Sequence, residues 1–197
     1  RYKSSNSILA KKEFNFSPIV ETWLNFFKDE LLKINPNLSF KKYEFEYVPT
    51  FDVDNAFRYL GRNWQKHPPN LLKSDCWKTL ARKQKDKYNI FDEMISEISK
   101  YNLNPIFFFL LNDDGENNSK VSPGSEKYAD LISKLSYLFD IGLHPSYHSL
   151  EENNLIVEYQ KLYQIVNRNI YNSRQHFLKI SFPDLIYNFE KTDSLQI

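Results

Sequence analysis

Side chains suited to a hydrolytic centre stand at three points of this sequence. They are Asp52 and Asp54 in Thr50-Phe-Asp-Val-Asp54, His144 and His148 in Gly142-Leu-His-Pro-Ser-Tyr-His148, and Arg174 in Ser173-Arg-Gln-His-Phe-Leu-Lys179. In extended chain, residues two apart point to the same side, so both carboxylates of Asp52-Val53-Asp54 can enter one pocket. Two anions that close are relieved by a cation beside them; the same three residues also read as a solvated turn at the end of a strand. His144 and His148 are four apart, a spacing that puts two rings on one face of a helical turn, as in other zinc sites. A turn after a strand can bring them together as well, and taken alone the pair also reads as polar surface. With Asp54 they supply two nitrogens and one oxygen. Three protein ligands and an open position is the pattern of catalytic zinc, whereas structural zinc is closed by four ligands, mostly cysteines. Cobalt, manganese, nickel or iron suit the same ligands. The Arg174 guanidinium can hold a carboxylate bidentately, or lie on the surface.

The elements that must position these groups follow from periodicity. Ser17-Pro18 is a start signal, and Ile19, Trp23, Phe26, Phe27, Leu31 and Leu32 recur at helical spacing, so an amphipathic helix is predicted over 18–34. Alternation in Tyr43-Glu-Phe-Glu-Tyr-Val48 predicts a half-buried strand that runs into the Asp52-Val53-Asp54 segment. Residues 55–88 read as an insertion with one helix, in which His67 has no evident partner. Helices are then predicted over 91–101, 125–139 (capped by Ser125), 151–166 and 183–189, and strands over 106–111, 140–143 and 169–171. Strands alternating with helices mean a parallel sheet or a β/α barrel. In such folds the carboxyl ends of the strands converge on one rim, where the aspartates, histidines and Arg174 all fall.

Composition narrows the field. The chain has 197 residues and a formal charge of +1, which gives no overall electrostatic footprint for nucleic acid. The cluster Arg82-Lys-Gln-Lys-Asp-Lys87 reads as a solvated face. Cys76 is the single cysteine, so neither an intramolecular disulfide framework nor a thiolate metal cluster is expected, and a cytoplasmic location is slightly favoured. No apolar run approaches a membrane span. The sequence begins at Arg1 rather than Met, which leaves localisation open.

Together the three segments resemble the first three motifs of polysaccharide deacetylases, the NodB-homology group (carbohydrate esterase family four). The resemblance runs from about Tyr43 to Ser194. Phe51-Asp-Val-Asp54, Phe107-Phe-Phe109, Ile141-Gly-Leu-His-Pro-Ser-Tyr147 and Arg174-Gln-His176 are similar to a subgroup associated with bacterial surface-polysaccharide gene clusters. The resemblance implies an α/β fold of the distorted (β/α) barrel type over 43–197, incomplete here, after an N-terminal segment over 1–42. It implies removal of N-acetyl groups from a sugar of a bacterial surface polysaccharide or its precursor. Asp54, His144 and His148 would bind one divalent ion, zinc foremost; Asp52 would be the base, Arg174 would hold it, and Tyr147 would line the sugar groove. The family usually supplies a late histidine as general acid, and no histidine follows His176. Either the C-terminal part is missing, the simplest reading, or His176 takes the acid role, or the protein is a glycan binder without turnover. Asp193, in Thr192-Asp-Ser-Leu195, is similar to a later supporting aspartate. A third class, a structural module of a polysaccharide-assembly complex, would use an exposed face of the 18–34 helix.

Overall fold

The computed structural model describes residues 5, 7, 10, 17–41, 44–69, 71–149, 151, 154–179 and 181. Two compact units divide the chain, Arg1–Glu46 and Tyr47–Ile197. The first holds helix α1, Ile19–Ile34, which takes Pro18 rather than Ser17 as its cap residue and buries none of its own residues. Trp23, Phe26 and Phe27 are exposed. The expected helix over 183–189 and Asp193 lie outside the described residues.

In the second unit strands and helices alternate: β1 (Thr50–Val53), α2 (Ser74–Leu80), α3 (Phe91–Lys100), β2 (Ile106–Phe109), α4 (Glu126–Ser136), β3 (Asp140–Leu143), α5 (Asn154–Val166) and β4 (Asn172–Ser173). The strands form one parallel sheet in the order β1-β2-β3-β4. The expected α/β class with a parallel sheet is therefore present, with helices filling the crossovers that parallel pairing requires. Among the described residues no helix is long and apolar enough to cross a membrane.

Two predicted strands move. Residues 44–49 are not in a strand; Pro49 O accepts from Ile106 N–H at 3.0 Å, while Phe45 and Tyr47 are exposed. Pairing starts at Thr50, opposite Ile106. The last strand lies at Asn172–Ser173 rather than 169–171, because register with Gly142 and Leu143 sets it. Ser125 occupies the cap position of α4 as expected, but its side chain makes no capping bond.

Register decides which side chains share a face. Asp52, Phe108, Gly142 and Asn172 are direct cross-strand partners, so their side chains stand on one face. Two residues further, past the strand ends, come Asp54, Leu110, His144 and Arg174, still laddered through Leu110 N–H to Val53 O, His144 N–H to Phe109 O and Arg174 N–H to Leu143 O. The opposite face carries Val53, Phe107, Phe109, Ile141 and Leu143 into the core, with Ile98, Ile132, Leu135, Leu155 and Leu162.

In a flat sheet β1 and β4 would stand about 14 Å apart, three strand spacings. Arg174 nevertheless donates to Asp52 Oδ1 at 2.9 Å and to Thr50 Oγ1 at 2.8 Å. The sheet therefore curls toward the face that bears the acids. On this face Gly142 leaves room for the Phe108 ring, since a Cβ there would stand 2.5 Å from that ring and 3.0 Å from Asn172 O.

Candidate metal centre

Asp54, His144 and His176 bring one ligand atom each to within 4.8 Å of one another. Asp54 follows β1, His144 follows β3, and His176 begins a short 3₁₀ turn, His176–Leu178, after β4. His144 Nε2 lies 3.3 Å from Asp54 Oδ1 and 2.9 Å from His176 Nδ1, which is 3.7 Å from the same oxygen. Both rings are buried. Asp54 is half exposed, yet its Oδ1 is sealed from solvent and has no hydrogen-bond donor.

The outer ring nitrogens set the tautomers. His144 Nδ1 faces the carbonyl of Arg174 at 2.5 Å, and His176 Nε2 faces the carbonyl of Asn117 at 2.8 Å. A carbonyl only accepts, so each of these nitrogens carries the proton, and in the neutral rings the two inner nitrogens are lone pairs. Three acceptor atoms therefore converge with no proton among them. Such a cluster needs one positive charge at its centre, a bound cation or an added proton. The neighbouring His144 imidazole is the main reason the Asp54 carboxyl lies below its ordinary range. Burial opposes the shift, and the charges of His176 and His144 add to it. Two imidazoles whose outer N–H groups are anchored on carbonyls, plus one carboxylate, is a donor set that fits a divalent metal.

Beside this triad stands a held carboxylate. Asp52 receives Arg174 Nη1 at 2.9 Å, while the guanidinium lies 4.5 Å from the centre of the Phe108 ring. Gly142, Phe108, Arg174 and Asp52 thus form one stack across the concave face.

Of the anticipated ligands, Asp54 and His144 meet, and His148 does not join them. Its Nδ1 pairs with Glu151 Oε1 at 2.9 Å, and its ring packs edge-on against Tyr147. His176, read from the sequence as a substitute acid, occupies the third corner. Its N–H bonds to Pro145 O at 3.0 Å, and an unusual turn follows it: Phe177 and Leu178 both have positive φ, a costly conformation for residues with large side chains. Tyr147 is half-buried, with Lys179 Nζ 4.1 Å above its ring and Phe177 edge-on to it at 5.7 Å.

Several supporting residues escaped the sequence reading. The buried Glu158 accepts from Ser146 N–H at 2.9 Å, Ser146 Oγ at 2.5 Å and Asn112 Nδ2 at 3.0 Å. Burial pushes its carboxyl up, against the pull of those donors. It pins the turn that carries His144. A signal existed: Leu155, Glu158, Tyr159 and Leu162 are the buried stripe of α5, so a charged residue sits at a core position. Gln175 Nε2 ties the same turn through Ser146 O and Ser149 Oγ. The expected solvated run over 82–87 is exposed except at Gln84, which is partly buried, and at Asp86. Asp86 is buried and accepts from the N–H groups of Arg58, Tyr59, Leu60 and Tyr88. His67 is not free either, since its Nε2 meets Asp113 O at 2.8 Å.

No family model, curated protein or solved structure matches this chain.

Proposed function

We propose that this protein is a metal-dependent hydrolase that removes N-acetyl groups from a sugar of a bacterial surface polysaccharide or its precursor. The observation that carries the reading is the convergence of three lone-pair donors, Asp54, His144 and His176, next to a carboxylate that an arginine holds in place. The resemblance to polysaccharide deacetylases supports it, and the curled parallel sheet would then be part of a distorted (β/α) barrel. A divalent cation in the triad, zinc foremost, would polarise an acetyl carbonyl and acidify a water. Asp52 accepts the proton as water attacks the amide carbon and returns it to the amine nitrogen as the C–N bond breaks. Arg174 fixes the direction from which Asp52 does so, and the Phe108 ring backs the guanidinium. Tyr147 and Phe177 offer ring faces against which a sugar can pack.

The second reading is a glycan-binding protein of the same fold without turnover. His176 favours it: with Nε2 on Asn117 O and Nδ1 in the triad, this ring is not free to protonate a leaving amine. Acetate release from N-acetylglucosamine oligomers by the zinc-loaded protein separates the two. Hydrolysis that falls about 10²–10⁴-fold in Asp52→Asn supports the enzyme. Saturable oligomer binding with no acetate released supports the binder.

A further inference from the structure

A second site is built where residues 55–62 meet the 112–124 loop. Here a cleft of about 260 Å³ is lined by Arg58, Arg62, Lys73 and Lys120, with Tyr59 and Tyr88 among its walls. Four cations around one small cleft repel one another unless something negative offsets them. Asp75 and Asp86 lie close enough to act on Arg58 and Arg62, but neither lines the cleft. Asp75 is shared with Lys87, so the two acids offset the four cations only in part. Among the described residues, the acids Asp75, Glu93, Asp113 and Asp114 form their ion pairs with Lys87, Lys85 and Lys66.

The guanidiniums are held rather than loose. Arg62 donates Nε to His67 O at 2.9 Å and Nη1 to Arg58 O at 3.0 Å, and burial pulls its pKa down. Arg58 lies 5.3 Å from the Tyr59 ring centre and 5.9 Å from that of Tyr88. The buried Asp86 clamp sets the backbone of Arg58, Tyr59 and Tyr88 together, so it shapes this wall. Lys120 is tied in through its N–H to Asn55 Oδ1 at 2.8 Å. Pre-set guanidinium forks with two lysines match a multiply charged, oxygen-rich anion better than a single carboxylate.

We propose that this cleft is a phosphate-binding site for a phosphate-bearing ligand. Asn55, which lines the cleft, directly follows Asp54 in the sequence. The inference does not rest on the metal reading, and its test is made in chelator so that the triad plays no part.

Calorimetric titration of the full chain with inorganic phosphate should show one saturable site. Arg58→Ala, and the charge reversals Lys73→Glu and Lys120→Glu at exposed side chains, should each weaken it about 10-fold. Lys134→Glu, the same charge change on α4, should leave it unaltered. The proposal is overturned by any of three results: no saturable binding to the wild type, an equal loss in Lys134→Glu, or acetate binding as tightly as phosphate. Folding of each variant is checked by thermal melting, and the two lysine reversals carry the test if Arg58→Ala does not fold.

Discussion

His176 and His148 differ by what each ring nitrogen faces. The His176 ring has its outer nitrogen on a backbone carbonyl and its inner one toward Asp54 and His144, the arrangement that presents a lone pair to a metal. His148 is partly exposed and turned to Glu151. Zinc content after dialysis should therefore be lost in His144→Ala and His176→Ala and retained in His148→Ala. Zinc lost on truncating His148 and kept on truncating His176 would reverse the assignment. At this scale the sequence was legible for the meeting of Asp54 with His144 and of Asp52 with Arg174, because residue type and a place in or just after a strand suffice to single them out. It was not legible for the third corner. Both histidines follow strands, and only the folded chain, with His176 N–H on Pro145 O and its ring on Asn117 O, shows which of them faces Asp54.

The elements set how tightly the site is supported. Gly142 in β3 leaves room for the Phe108 ring of β2, which backs Arg174. Gly142→Ala should push that ring, destabilise the fold by about 1–3 kcal/mol as overpacking does, and lower activity more than metal content, because Asp52 rather than the triad loses its support. Denaturant unfolding, zinc analysis and acetate release measure the three quantities. Between β1 and α3, Asp75 of α2 joins Lys87 and the Tyr59 hydroxyl. The Lys87 bond is the main cause of an Asp75 pKa below its ordinary value, with burial opposing and Tyr59 assisting. A carboxyl whose folded pKa is lowered stabilises the fold above its unfolded value, near 3.8, and loses that contribution as pH falls through the lowered one. Asp75→Asn should thus be less stable than wild type at pH 7, with the gap closing below about pH 4; urea midpoints at pH 7 and pH 3 test this. Helix positions were largely readable, since α3, α4 and α5 lie within the predicted ranges. Strand limits were readable for β3, which spans 140–143 as expected, and for the start of β2, but not for β1 and β4, because a strand exists only where a neighbour pairs with it.

Across the Tyr47–Ile197 unit, the triad draws its atoms from the ends of β1 and β3 and from the turn after β4, so an ion held there links distant parts of the chain. Zinc at about 100 times its dissociation constant should add about 2.7 kcal/mol of stability, raising the melting temperature by roughly 5–10 °C for a unit of this size. Chelator should reverse the rise, and His176→Ala should show none. The near-neutral total charge said nothing of the four cations around the Arg58 cleft, because net charge averages over a surface and binding depends on where charges gather. Glu158 and Asp86 are hidden for a related reason: a buried carboxylate is recognisable only with its donors in place. By itself the sequence determined the alternation of strands and helices, the parallel sheet they imply, and the candidate polar side chains near the strand ends, since these depend on local periodicity and residue type. The tertiary structure decided the curl across Gly142, the further contact of Arg174 with Thr50 beyond the one with Asp52 that the resemblance implied, and His176 rather than His148 beside Asp54. Each of those depends on atoms far apart in the chain whose distances no local pattern encodes.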